Sequence, residues 1–227
     1  MSVDRVLCLA NSYKHNHRCV AGIDLATKRW VRLVGRKIAG CLTVEQTRYE
    51  NGTEAALLDL FEAEIGESCG SNSHPEDVFA AEGRWHRVRR FDEPRDKLFL
   101  ENLASKRPVL FADYGDRIHV DKFANAPATH SLELVQPDDL RWWIREENSK
   151  RRNRALFRLN YGSRPRYDLA VTDPQWLNLL NFLPAGIYPH SLFFKDKLPV
   201  TLLTVSLSEP FENFHYKLVA GVVNLPA

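Results

Sequence analysis

Nine cationic side chains crowd the stretch from Arg141 to Arg166: Arg141, Arg145, Lys150, Arg151, Arg152, Arg154, Arg158, Arg164 and Arg166. Only Glu146 and Glu147 oppose them, a local excess of seven positive charges in a chain whose formal net charge is +2, so the remainder carries −5. Arginine dominates, and its planar guanidinium can grip phosphate with paired donors and stack on a base. In a strand over Ala155–Tyr161, alternation sends Ala155, Phe157, Leu159 and Tyr161 to one face and Arg154, Leu156, Arg158 and Asn160 to the other. The face with Phe157 and Leu159 reads as core. Arg154 and Arg158 then point outward, beside the loop arginines Arg151, Arg152 and Arg164 and the strand-opening Arg166. A basic groove with stacking aromatics is the chemistry that holds single-stranded nucleic acid; a solvated hairpin without a partner is the plain alternative.

A second set of donors lies near the start: Asn11, Ser12, Lys14, His15, His17 and Arg18, expected in a polar loop over Asn11–His17. Polar loops on a rigid scaffold often carry binding sites. Trp30 and Arg32 alternate onto one face of a following strand. If that face is open, the indole can stack a base and the guanidinium can grip a phosphate; burial of the indole in the core is the competing reading. The run Arg84-Trp85-His86-Arg87-Val88-Arg89-Arg90 is a smaller basic and aromatic patch, equally readable as a solvated strand.

Catalytic and metal chemistries find less support. His15, His17 and Cys19 alternate, with Cys69 and His74 further on, but the spacing matches no standard zinc signature. Asp59, Glu62, Glu64 and Glu67 invite a metal-dependent nuclease, yet Asp59 falls on the opposite strand face from Glu62 and Glu64, and an acidic strand edge is the bland reading. Neither a Gly-rich phosphate loop nor G-x-S-x-G or H-E-x-x-H occurs. No catalytic constellation is recognisable, and neither a metal nor a cofactor is expected.

The elements that must position these residues are mostly strands. Hydrophobic content is 44%, charged content 26% and the pI about 8.3. That is ordinary for a globular chain and below the range of a dedicated nucleic-acid domain, so any polyanion site must be local. Four scattered cysteines without C-x-x-C spacing fit reduced thiols. With no signal peptide and no bilayer-length apolar run in view, a cytoplasmic protein is expected. Period-two runs separated by Gly, Pro, Asn and Asp predict strands over Val3–Ala10, Arg18–Leu25, Trp30–Val34, Ala55–Ile65 and Arg84–Phe91, with a short helix over Lys97–Ala104. Phe123–Thr129, FANAPAT, is the best linker candidate. Beyond it, Ser131–Val135, Arg141–Glu147, Ala155–Tyr161 and Arg166–Val171 read as strands. The stretch TDPQWLNLLNFLP then reads as a helix, with Asp173 or Thr172 as N-cap, Pro174 in the first position and Trp176, Leu179, Leu180 and Leu183 at helical spacing. Val200–Leu207 and His215–Val223 are the final strands. Strands, a helix, then two more strands is the order of an OB-fold, a small Greek-key barrel whose second and third strands form the usual binding face.

The stretch VLCLANSYKHNHRCVAGIDLATKRWVRLV resembles the opening of the bacterial dual OB-containing domain family, with its A-N-S-x-K, R-C-x-A-G and W-V-R-x-V segments. RYENGTEAALLDLFEAEI, YDLAVTDP and TVSLSEPFENFHYKLVAGVV are similar to further parts of that family, so the likeness spans nearly the whole chain. Leu33-Val34-Gly35 departs from it where relatives tend to carry a proline. The resemblance implies a mainly β protein of two OB-like Greek-key barrels in tandem with short helices, a first over 1–128 and a second over 129–227. It supplies no catalytic residues. The function expected is a non-catalytic module binding single-stranded DNA or RNA through an arginine-rich face, in the setting of an accessory to a bacterial defence system. A small-nucleotide sensor or a protein–protein adaptor, with a protein partner in a larger complex, is the alternative.

Overall fold

The computed structural model describes residues 2–14, 16–37, 40–159, 166–195 and 197–225. Its first sheet contains β1 (Ser2–Lys14), β2 (His17–Asp24), β3 (Trp30–Val34), β4 (Asp59–Ser68), β5 (Asp77–Ala80) and β6 (His86–Arg90), in the order β1-β2-β3-β5-β4-β6. A further pairing of β1 with β4 closes five of these strands into a barrel and leaves β6 as an added edge. Closure depends on the length of β1. Its first residues, Ser2–Leu7, pair with β4, and Val6–Lys14 pair with β2. An irregularity between Cys8 and Ala10 bends the strand from one partner toward the other.

The second sheet is formed by β7 (Arg117–His119), β8 (Leu132–Val135), β9 (Asp138–Glu147), β10 (Lys150–Arg158), β11 (Tyr167–Val171), β12 (Gly186–Pro189), β13 (Val200–Leu207) and β14 (Phe214–Leu225). Its path is β12-β9-β10-β11-β14-β13-β8, with β7 on β14. Only Gln136 and Pro137 separate β8 from β9. A proline has no N–H to give a ladder, so one long first strand is interrupted there. Its halves pair with β13 and β10, as the two parts of β1 pair with β4 and β2. The parallel contact of β11 with β14 matches that of β3 with β5. Both halves therefore follow the strand order of the OB-fold.

Among the described residues three α-helices are added: α1 (Pro94–Leu103), α2 (Asp121–Asn125) and α3 (Pro174–Asn181). The α3 helix lies between the third and fourth strands of the second barrel, as expected for that fold. Asp173 fixes it: Oδ1 accepts from the N–H groups of Gln175 (2.9 Å) and Trp176 (3.1 Å), and Oδ2 from that of Val222 (2.8 Å). Among the described residues no helix is long and apolar enough to cross a membrane.

Several expected boundaries move. The loop expected over Asn11–His17 is strand as far as Lys14, where the Tyr13 N–H donates to the Thr172 carbonyl across the seam between the barrels (2.9 Å). The expected linker Phe123–Thr129 begins inside α2, because Phe123 is buried with Leu110, Phe111 and Ile118 in the second core. The strand sought over Ala55–Ile65 starts only at Asp59, and α1 starts at Pro94, whose fixed φ suits a first helical position.

The barrels meet along β1 and β14. Thr204 Oγ1 donates to the Leu9 carbonyl (2.6 Å), and a Cβ placed on Gly221 would sit 2.3 Å from that same oxygen. Only glycine allows the two backbones to come this close. Ala10, Ala21 and Ala220 form a seam of small residues with Leu132, while Leu134, Leu202, Val223 and Leu225 pack with Leu7, Leu9 and Phe61 of the first barrel.

Candidate nucleic-acid interface

The ligand face of an OB-fold comprises its second and third strands and the loops joining strands one to two and four to five. In the first barrel these are β2, β3, the turn after β1 and the loop from Cys69 to Glu76. In the second they include β10, β11 and the loop from Ser208 to Asn213. The first barrel's face opens on a cleft of about 620 Å³, to which the second barrel's face contributes Arg152 of β10 and the loop residues from Ser208 to Phe211. Ser12, Tyr13, Lys14, Cys19, Arg32, His74 and Asp77 line one wall; Arg152, Thr172, Ser206, Glu209, Phe211 and Tyr216 line the other.

Arg32 sits at the base, only 4% exposed. Nη1 meets Asp77 Oδ1 at 3.2 Å, and Nη2 donates to the hydroxyls of Ser131 (2.7 Å) and Ser206 (3.2 Å) and lies 3.3 Å from Glu76 Oε1. At Arg32 the face it shares with Trp30 is thus closed. The second barrel covers that end, while Trp30, half-buried, packs against the seam of Ala10, Ala21, Leu132 and Ala220. Arg32 lines the cleft as a tie between the barrels, its charge already matched by two carboxylates.

The remaining N-terminal candidates divide by alternation along β1. Ser12 and Lys14 face the cleft, with Lys14 Nζ 3.3 Å from Glu209 Oε1. Asn11 faces the other way, donating from Nδ2 to Glu54 Oε1 (3.0 Å) and the Ala55 carbonyl (2.7 Å). Arg18 joins it through a two-pronged pair with Glu54 and lies 4.5 Å over the Tyr13 ring. Asn11 and Arg18 line a separate cavity of about 230 Å³ beside Pro174 and Gln175. His15 lies outside the described residues.

Several of the hairpin cations are also engaged. Arg151 Nη2 donates to the carbonyls of Leu180 (2.8 Å) and Leu183, terminating α3. Arg154 Nε donates to Asp168 Oδ1 at 2.7 Å. Arg141 and Arg166 both approach Asp139, and Arg145 pairs with Glu147. Arg158 lies opposite Asp138 in the ladder, with its Nε buried and unpartnered among the described residues. Arg164 lies outside the described residues. Asp138, Asp139 and Asp168 flank the run in sequence and fold onto it; counting them lowers the local excess from seven to four. Among the described residues, Arg152 is exposed and has neither an ion-pair nor a hydrogen-bond partner, and it is the hairpin arginine that reaches the cleft.

Burial sets the charge states within. It raises the Asp77 carboxyl to about 6, against the pull of Arg32 and with the help of the neighbouring Glu76 and Glu209 charges. Burial and the Arg32 charge lower His74 to about 4, leaving a neutral ring whose Nε2 lies 3.2 Å from the Leu207 carbonyl. For Glu209 burial works the other way, but the charges of Lys14 and Arg32 hold its carboxyl below the usual range. Cys19 is a thiol kept protonated by burial.

The sequence reading missed Tyr13, Phe211 and Tyr216, which give the cleft aromatic surface; Phe211 is 63% exposed. The signal for Phe211 was Ser208-Glu209-Pro210, turn chemistry between two strong strands at the place of the four-to-five loop. A family model described as a dual OB-containing domain matches residues 4–222. No curated protein and no solved structure matches the chain.

Proposed function

Because the chain belongs to the dual OB-containing domain family, we propose that it is a non-catalytic binder of single-stranded nucleic acid, DNA or RNA, and that the strand enters the cleft between the barrels. One observation carries this reading: the first barrel's ligand face and the second barrel's Arg152 and Ser208–Phe211 loop converge on a single cleft with aromatic rings and an unpaired arginine at its edge. In this reading residues 1–128 supply one wall and residues 129–227 the other. The volume lies in the range of small-ligand sites and takes a nucleotide-sized segment. Arg152 and Lys14 meet phosphates, while Tyr13, Phe211 and Tyr216 offer faces to bases, each stacked base being worth about 1–3 kcal/mol. The other hairpin arginines act mainly on the protein itself.

Anisotropy titrations of labelled oligonucleotides of increasing length, at two salt concentrations, test this. Affinity should rise with length and fall with salt, with a log–log slope of about −0.7 per phosphate contact. Arg152→Glu should weaken binding and flatten the slope, whereas Arg154→Ala should change it little. Absence of binding at low salt, or indifference to both Arg152→Glu and Phe211→Ala, would refute the proposal.

A further inference from the structure

A second cavity, of about 540 Å³, opens along the same seam and shares no lining residue with the cleft. The Arg32–Glu76 pair stands between them, with Arg32 lining the cleft and Glu76 lining this cavity. Three cations lie along it: Lys28 and Arg29 from the β2–β3 turn, and Arg107 from the segment after α1. All three are exposed, and none has an ion-pair partner among the described residues. Most arginines elsewhere in the fold, including Arg18, Arg32, Arg89 and Arg154, are paired.

The backbone that carries the cations is held in place. Asp24 pins the turn, accepting from the Ala26 N–H at Oδ1 (2.9 Å) and the Thr27 hydroxyl at Oδ2 (2.6 Å), while the Lys28 N–H donates to its carbonyl (2.8 Å). The Arg107 N–H donates to Ser105 Oγ (3.3 Å), and the Ser105 N–H to the Leu134 carbonyl (2.7 Å). Both carboxylates of the wall have partners, although Glu133 Oε2 is buried without one among the described residues. Glu76 accepts from the Ser131 hydroxyl and N–H and faces Arg32; Glu133 Oε1 accepts from the Phe111 N–H and lies 3.0 Å from His130 Nε2. Trp30, half-buried, supplies an aromatic wall beside Leu103, Leu132 and Leu134.

We propose that this cavity is a separate binding site for a free nucleoside polyphosphate, its base against Trp30 and its phosphates held by Lys28, Arg29 and Arg107. Planar guanidinium forks suit phosphate oxygens, and an indole face suits a base. This site does not rest on the strand reading of the cleft.

Calorimetric titration of the full chain with adenosine and its mono-, di- and triphosphates tests the assignment, with tryptophan fluorescence followed in parallel on the chain and on Trp30→Phe. Affinity should climb with phosphate number, adenosine should bind weakest, and the fluorescence change should vanish in Trp30→Phe. Arg29→Ala and Arg107→Ala should each weaken the triphosphate by about tenfold or more, the scale of a lost charge-assisted contact. Arg152→Glu should leave it unchanged, so failure here and failure of the cleft are distinguishable. Absence of nucleotide binding, indifference to both arginine variants, or equal affinity for inorganic tripolyphosphate without a Trp30 signal would overturn the proposal. Displacement of the bound triphosphate by an oligonucleotide, alike in the unmodified chain and in Arg152→Glu, would overturn it in favour of a strand segment.

Discussion

Arg32→Met separates a structural arginine from a ligand-gripping one. In the fold this guanidinium lies against Asp77 and Glu76 and hydrogen-bonds Ser131 and Ser206, with almost no exposure. Methionine keeps much of the stem's bulk and removes the charge, stranding two carboxylates where water barely reaches. Breaking a buried pair from one side costs about 3–5 kcal/mol. Set against a typical domain stability of about 5–15 kcal/mol, that is a large share. It corresponds to a melting temperature about 6–20 °C lower, at about 2–4 °C per kcal/mol for a chain of this size. Adding Asp77→Asn should restore part of the loss, because only Glu76 then remains uncompensated. Urea unfolding followed by tryptophan fluorescence reads both variants. A loss below about 1 kcal/mol, or oligonucleotide binding abolished with stability intact, would refute the reasoning and return Arg32 to the role its alternation with Trp30 first indicated.

Other outcomes follow from the same geometry. Gly221→Ala should destabilise the fold by about 1–3 kcal/mol, the scale of an overpacked contact, because its Cβ meets the Leu9 carbonyl at 2.3 Å; an unchanged denaturation midpoint would contradict this. Asp173→Ala should cost about 2 kcal/mol, a helix cap plus a buried acceptor for Val222, and should show as lost amide protection at Val222. Oligonucleotide affinity should rise as pH falls through about 6, where Asp77 takes up a proton and the cleft gains positive charge; in Asp77→Asn that rise should disappear. Stability responds in two directions. Asp77, raised from 3.8, favours the folded chain most below pH 3.8, and that contribution is lost as pH rises through about 6. His74 and His190, lowered from 6.5, favour it above 6.5, and theirs is lost as pH falls through about 4. Asp77→Asn should therefore steepen the acid-side decline of the melting temperature.

Much of the fold was legible because its signals are local. Asp173-Pro174 followed by apolar residues at helical spacing marks α3, and period-two runs on either side mark the strands that surround it. The site was legible only in part, because its decisive contacts join distant segments. Alternation places Arg32 beside Trp30 but cannot say that Ser131 and Ser206 will cover that face. The charge run from Arg141 to Arg166 counts residues along the chain, whereas the field depends on Asp138, Asp139 and Asp168, which the antiparallel register folds onto it. Lys14 and Arg152 lie far apart in sequence, and only the packing of β1 and β14 brings their faces onto one cleft.

The packing of Leu134, Leu202, Val223 and Leu225 into the first barrel's core has a consequence for folding. Residues 1–90 contain every strand of the first sheet, yet a fragment ending there would leave Leu7 and Leu9 without the side chains that cover them. The final strand must arrive before the first barrel's core is complete. Synthesis from the N-terminus therefore holds an unfinished apolar surface until Phe214–Leu225 emerges, and the two barrels should melt in one transition, each resisting excision from the other.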